Sequence, residues 1–284
     1  MSFISTHTYC YLDRSARSGK IKNFGHNIKM DTNKQHSSRQ NQTNHNITEE
    51  EALSFSRLSD SWWDPDGPFR PLHKINPTRI SYIRTKLCNH FQRDEKSLTP
   101  FENLNILDIG CGGGLISEPL TKMGASVTGI DAVKKNIDAA RVHAKKNNLT
   151  IDYRYESAES LAEQQCIFDV VLALEVVEHV ADLESFIKTC SDLLKPGGAI
   201  IFSTLNRTPA SFVLGIIAAE YILRWLPKGT HDWRKFIRPS ELVTHMRMAG
   251  IATADMQGIS YDVINAKWRE SDSLAVNYLV YGKV

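Results

Sequence analysis

Apolar residues along this chain fall in short runs, and segments with helical spacing separate them. Leu104, Ile106, Leu107 and Ile109 make one run, short enough for a single buried strand. Ala125 to Asp131 forms a second strand, Ile151 to Tyr155 a third, and Ala199 to Ser203 a fifth. The fourth, Phe168 to Leu174, is apolar almost throughout, as a strand covered on both faces must be. Between them, Leu115 to Met123, Asn136 to Asn147 and Leu183 to Leu194 carry apolar residues at helical spacing. Thr48-Glu-Glu-Glu51 reads as a capping box ahead of Ala52, Leu53, Phe55 and Leu58. Asn76-Pro77-Thr78-Arg79 is expected to start the next helix, with Pro77 in its first turn. Pro239 to Ala249 is a late helix, and two strands around Thr253 to Met256 and Val276 to Tyr281 close the pattern. Such alternation predicts an α/β fold with a doubly wound sheet.

The first strand runs into Gly110-Cys-Gly-Gly-Gly114, and a helix follows. Glycines there let the backbone turn sharply and let a ligand approach without a Cβ in the way. Asp131 ends the second strand about twenty residues further on, where a carboxylate can accept both hydroxyls of an adenosine ribose. Strand, glycine loop, helix and distal acid together predict a nucleotide crevice at the carboxyl edge of the sheet. A dinucleotide site usually keeps a third glycine, and Leu115 occupies that position. An NAD(P)-dependent oxidoreductase is therefore the disfavoured alternative.

Composition narrows the class further. The net charge of +2 gives no support to a nucleic-acid surface. Five scattered cysteines without C-x-x-C spacing argue against a disulfide framework or a zinc site; Cys111 reads as a packing residue. Residues 1–48 differ from the rest: Asp31 to Thr48 contains one aliphatic residue, Ile47, and cannot bury a core. Met1 to Met30 sets Arg14, Arg17, Lys20, Lys22 and Lys29 against Asp13, without the apolar centre of a secretory signal. A disordered extension and a mitochondrial targeting segment are the two readings, the first preferred. Residues 49–284 are expected to form one domain.

Leu107-Asp-Ile-Gly-Cys-Gly-Gly-Gly114 resembles the first motif of class I S-adenosylmethionine methyltransferases, and Phe168-Asp-Val-Val-Leu-Ala-Leu-Glu175 and Leu194-Lys-Pro-Gly-Gly-Ala-Ile-Ile-Phe-Ser203 resemble their fourth and fifth strands. Trp62-Trp63-Asp64, Leu72-His-Lys-Ile-Asn-Pro-Thr-Arg79, Glu175-Val-Val-Glu-His179 and Lys228-Gly-Thr-His-Asp-Trp233 narrow this to the ubiquinone-biosynthesis O-methyltransferases. The resemblance runs from about Phe55 to the C-terminus. It implies a Rossmann-like, seven-stranded, mostly parallel sheet with an antiparallel C-terminal pair, N-terminal helices and a helical lid insert over residues 205–240. It also implies S-adenosyl-L-methionine as cofactor and a polyprenylated phenol or hydroquinone as acceptor, with one enzyme performing both O-methylations of the pathway. A ubiquinone-biosynthesis complex is a further implied partner. A non-catalytic, membrane-docked adaptor of the same fold is the alternative outside enzymology, and the retained acids and histidine argue against it.

The chemistry needs an activated oxygen. Ionising a phenol of pKa about 10 at pH 7 costs roughly 4 kcal/mol. Glu175, Glu178 and His179 follow the fourth strand at i, i+3, i+4 spacing, on one face if the segment is helical. One reading makes His179 a general base with Glu178 capping the next helix. The resemblance instead implies a divalent ion, Mg²⁺, on Glu175, Glu178 and His179. It also implies that Arg79 takes the methionine carboxylate of the cofactor, with Gly110, Gly112, Asp131 and the chain at Leu174 completing the contacts. His231 and Asp232 are read either as ordering a lid loop or as a local turn, and His73 as structural. Trp62 and Trp63 form either a hydrophobic cap or a lid over the acceptor.

Ala210 to Leu226 is apolar except for Ser211, Glu220 and Arg224. That is short for a comfortable span and carries charges, so a transmembrane helix is rejected. It reads as a buried lid helix or as an interfacial helix on an anionic membrane. The expected location is cytoplasmic, peripheral to a bacterial inner membrane, or alternatively the mitochondrial matrix at the inner membrane.

Overall fold

The computed structural model describes residues 58–212, 233–262, 265 and 267–284. The extension 1–48, the helix expected after Thr48, most of the apolar insert, and His231 and Asp232 lie outside those residues.

Eight strands form one sheet in the order β3-β2-β1-β4-β5-β8-β6-β7. Strands β1 (Asn105–Ile109), β2 (Ser126–Asp131), β3 (Asp152–Tyr155), β4 (Phe168–Leu174) and β5 (Leu194–Leu205) run parallel; β6 (Ala252–Asp262), β7 (Lys267–Ser271) and β8 (Asn277–Lys283) add antiparallel pairings. The chain winds outward in opposite directions from β1 and β4, so a crevice opens between their carboxyl ends.

Alternation along the central strands separates two apolar layers. Leu107, Val171, Ala173, Ile200 and Phe202 face helices α5 (Leu183–Asp192) and α6 (Pro239–Met248), through Phe186, Ile187, Leu242 and Met246. Ile106, Val170, Leu172 and Ile201 face α1 (Arg70–His90) and α2 (Ser117–Lys122), through Ile75, Tyr82, Ile83, Leu87 and Leu120. Helices α3 (Lys134–Lys146) and α4 (Ala158–Glu163) complete the winding.

Three expectations need correction. The sheet has eight strands rather than seven, because the C-terminal pair is a triplet. Strand β7 escaped the sequence pattern because Lys267-Trp-Arg-Glu-Ser271 is a polar edge strand with no buried residue, paired to β6 alone. Helix α1 begins at Arg70, not Asn76; Pro71 takes the first turn and Pro77 lies inside the helix, which is anchored by buried Ile75, Asn76, Arg79, Tyr82 and Ile83. Strand β5 begins at Leu194 rather than Ala199, because Lys195-Pro-Gly-Gly198 forms a bulge within it and its register to β4 jumps between Leu194 and Ala199.

Candidate functional site

Gly110, Gly112 and Gly114 all adopt positive φ (+68°, +54° and +89°), so the loop after β1 demands glycine. A Cβ on Gly110 would lie 2.5 Å from Val176 Cγ2, and one on Gly112 would lie 2.5 Å from the Trp62 indole. The Gly112 N–H donates to Asp131 Oδ2 at 2.9 Å, which ties the loop to the end of β2. Asp131 Oδ1 accepts from the Val133 N–H at 2.7 Å and from Asn136 Nδ2 at 3.1 Å. Burial pushes the Asp131 carboxyl up to about 6, although those hydrogen bonds hold it down. Beneath the loop, Asp108 accepts from Ser117 Oγ at 2.5 Å, and burial raises it to about 7. Burial also pushes the Cys111 thiol well up, as suits a neutral packing residue.

The second half of the site lies at the ends of β4, β5 and β8. Leu174 ends β4, and Glu175 follows with φ +57°, a left-handed conformation that costs a non-glycine residue about 1–3 kcal/mol. Glu175 Oε1 accepts from Arg79 Nη2 at 2.5 Å, Ser203 Oγ at 2.9 Å and Asn277 Nδ2 at 3.1 Å. Three elements distant in sequence thus hold one carboxylate. Glu178 is buried; its Oε2 accepts from Thr204 Oγ1 at 2.8 Å, while Oε1 has no partner. Burial and the neighbouring Glu175 charge push Glu178 up to about 7. Arg79 Nε and Asn277 Oδ1 are likewise buried and unpartnered. Three such buried open atoms around the Glu175 carboxylate leave hydrogen-bonding capacity there for a bound group.

Residues 177–179 form a single 3₁₀ turn, and the left-handed Glu175 precedes it. The shared helical face expected for Glu175, Glu178 and His179 is therefore corrected: they meet around a turn. Among the described residues no group of three or more His, Cys, Asp and Glu side chains is gathered as metal ligands. The donor chemistry nonetheless fits a divalent cation, which would satisfy Glu178 Oε1 and relieve its repulsion from Glu175.

Sequence reasoning missed Ser203, Thr204, Asn277 and Asn136. Asn277 opens β8 opposite Leu205, so antiparallel pairing returns it to the same sheet edge as Glu175. Its polarity at the head of an apolar strand was the available signal. Trp62 and Trp63 pack on the glycine loop, with Trp63 Nε1 donating to the Gly113 carbonyl at 2.9 Å. His73 is structural, its Nε2 lying 2.8 Å from the Trp62 carbonyl.

A family model described as a methyltransferase domain matches residues 107–202. The ubiquinone biosynthesis O-methyltransferase of Bartonella tribocorum is 50% identical over 242 residues, 85% of this chain and 98% of that one. The mitochondrial ubiquinone biosynthesis O-methyltransferase of Arabidopsis thaliana is 48% identical over 247 residues, 86% of this chain and 77% of that one. Among solved structures, the magnesium protoporphyrin IX methyltransferase of Synechocystis PCC 6803 with bound SAH shares the fold, with a TM-score of 0.55 at 17% identity over 82% of this chain and 94% of that one. With 50% identity over 242 residues, spanning 98% of the Bartonella tribocorum protein, the chain belongs to the ubiquinone biosynthesis O-methyltransferase family.

Proposed function

We propose that this enzyme transfers the methyl group of S-adenosylmethionine to a ring hydroxyl of a polyprenylated phenol, catechol or demethylubiquinol, at both O-methylation steps of ubiquinone synthesis. The observation that carries this reading is the 50% identity over 98% of a ubiquinone biosynthesis O-methyltransferase. The crevice supports it in detail. Asp131 would accept the ribose hydroxyls, and the open Nε of Arg79 would take the cofactor carboxylate. Gly110, Gly112 and the chain at Leu174 would meet the methionine arm through backbone atoms, since Val176 and Trp62 take the space of a Cβ at the two glycines. Glu178 and His179, on the turn after β4, would lie at the same sheet edge as these cofactor contacts.

When bound, S-adenosylmethionine would supply an electrophilic methyl carbon to the acceptor oxygen, the carbon–sulfur electron pair staying on sulfur as a neutral thioether. The phenolic proton would go to the His179 ring, or to Glu178 Oε1 where that oxygen holds no ion. A carboxyl raised to about 7 is suited to that transfer at neutral pH. Glu175, Glu178 and His179 would hold Mg²⁺, which supplies Lewis acidity toward a phenolic oxygen when bound. Incubation with a short-tailed catechol and a labelled methyl donor tests the assignment. Labelled methoxyarene is expected, together with a thermal shift from S-adenosylhomocysteine and none from NADH. No methyl incorporation, or a shift from NADH alone, would defeat it.

Asp131 also predicts a pH dependence for cofactor binding. Its raised carboxyl binds a proton as pH falls through about 6 and then accepts one hydroxyl fewer. Affinity for S-adenosylhomocysteine should be flat above pH 7 and fall below pH 6, approaching about tenfold per pH unit. Calorimetry between pH 5 and 8 checks this; a flat profile throughout would remove the Asp131 charge from binding.

Among the described residues no helix is long and apolar enough to cross a membrane. A prenylated acceptor and the apolar stretch within the insert 205–240 support peripheral attachment to an anionic membrane, since each buried methylene contributes about 0.8 kcal/mol. The same reasoning supports a bacterial inner-membrane location or, one relative being named mitochondrial, a place for this chain on the matrix side of a mitochondrial inner membrane. A shared biosynthetic complex would also suit such an acceptor, and residues 1–48 would lie outside the catalytic domain.

A further inference from the structure

The segment leading into α1 is bolted to the cofactor crevice at two places. Trp62 is buried at 7% exposure, and its ring lies where a side chain on Gly112 or Gly113 would otherwise stand. Phe69 stacks on that ring with centroids 3.7 Å apart and planes 5° from parallel. Trp63 adds its hydrogen bond to Gly113 and stacks on His143 of α3 at 3.5 Å. This aromatic strap covers one side of the glycine loop and keeps water from its backbone.

The second bolt is Asn136, 2% exposed in the first turn of α3. Its Oδ1 accepts from both Trp62 Nε1 at 2.9 Å and Ser59 Oγ at 2.7 Å. Its Nδ2 donates to Asp131 Oδ1 at 3.1 Å. The two ends of one amide therefore face different tasks: the carbonyl holds the strap, and the amino group aims the carboxylate. These partners also fix which way the amide points, because the reverse orientation would set its amino group against the Trp62 N–H, which can only donate, and its carbonyl against a carboxylate. Loss of this side chain would leave several buried groups unsatisfied at once.

We propose that Asn136 is a positioning residue for the cofactor, joining the Ser59–Trp62 strap to Asp131 so that cofactor binding and seating of the strap on the glycine loop are one linked equilibrium. The inference rests on Asp131 being the ribose acceptor. Linkage is reciprocal: whatever the seated strap adds to cofactor affinity, bound cofactor returns to the strap. Trp62 and Ser59 touch Asp131 through Asn136, so their contribution passes through it.

A double-variant cycle read by calorimetry with S-adenosylhomocysteine tests this on the full chain. Asn136→Ala should raise Kd about tenfold, the scale of one lost buried hydrogen-bonding group. Trp62→Phe keeps a ring on the loop, removes the N–H donor, and should raise Kd about threefold. The double variant should match Asn136→Ala alone rather than the product of the two effects. Amide exchange across residues 59–69 should slow with ligand in the wild type and stay unchanged with ligand in Asn136→Ala. Multiplicative effects, an unchanged Kd in Asn136→Ala, or ligand-accelerated exchange in the strap would each overturn the proposal; the last would make Trp62 a competitor of the cofactor. If Asn136→Ala does not fold, Ser59→Ala with Trp62→Phe carries the cycle, less-than-multiplicative effects supporting it and multiplicative ones opposing it. A wild-type chain that fails to bind S-adenosylhomocysteine would instead defeat the cofactor reading itself.

Discussion

Replacing Arg79 with alanine is expected to raise the dissociation constant for S-adenosylhomocysteine by about a hundredfold. A hydrogen bond to a charged group contributes about 1.5–3 kcal/mol, and each 1.4 kcal/mol is a factor of ten. Arg79 is 3% exposed, and its Nε is a buried donor without a partner, next to a guanidinium edge already engaged by Glu175. A carboxylate arriving from the cofactor would complete the fork. Arg79→Lys keeps the charge but not the planar pair of donors, so it should recover only part of the affinity. Arg79→Ala also removes the guanidinium from Glu175, which remains hydrogen-bonded to Ser203 and Asn277. Glu175 retains 21% side-chain exposure, so solvent screens the loss and the stability change should be smaller than for a sealed pair. Calorimetry that shows unchanged affinity would remove Arg79 from the cofactor site.

Chelation should have the second large effect. Treatment with EDTA is expected to lower turnover of a catechol acceptor about a hundredfold, and Mg²⁺ should restore it. Glu178 holds a buried oxygen with no partner beside the Glu175 carboxylate, an arrangement that a divalent cation would satisfy. Binding of S-adenosylhomocysteine should survive chelation, because Arg79, Asp131 and the glycine loop lie outside that donor set. Full turnover after exhaustive chelation would exclude the ion and leave the proton transfer to Glu178 and His179 alone.

The core of this fold was readable from the sequence because its signals are local. Phe168–Leu174 matches its predicted strand residue for residue, since a strand buried on both faces is apolar along nearly its whole length, Asp169 excepted. The glycine loop and Asp131 were likewise legible, because backbone geometry and strand ends leave composition marks within a few residues. Polar β7 left no such mark, and neither did the start of α1, where two prolines competed for the first turn.

What the sequence by itself determined was the alternating fold, the glycine loop after the first strand and the family resemblance, all written in periodicity and short motifs. Tertiary structure alone decided how the polar groups meet: that Glu175 turns left-handed to receive Arg79, Ser203 and Asn277, and that Asn136 joins Trp62 to Asp131. Those partners come from elements up to 102 residues apart. Hydrogen bonding depends on direction and on distances of about 3 Å, and no spacing along a chain encodes either until the sheet brings its edges together.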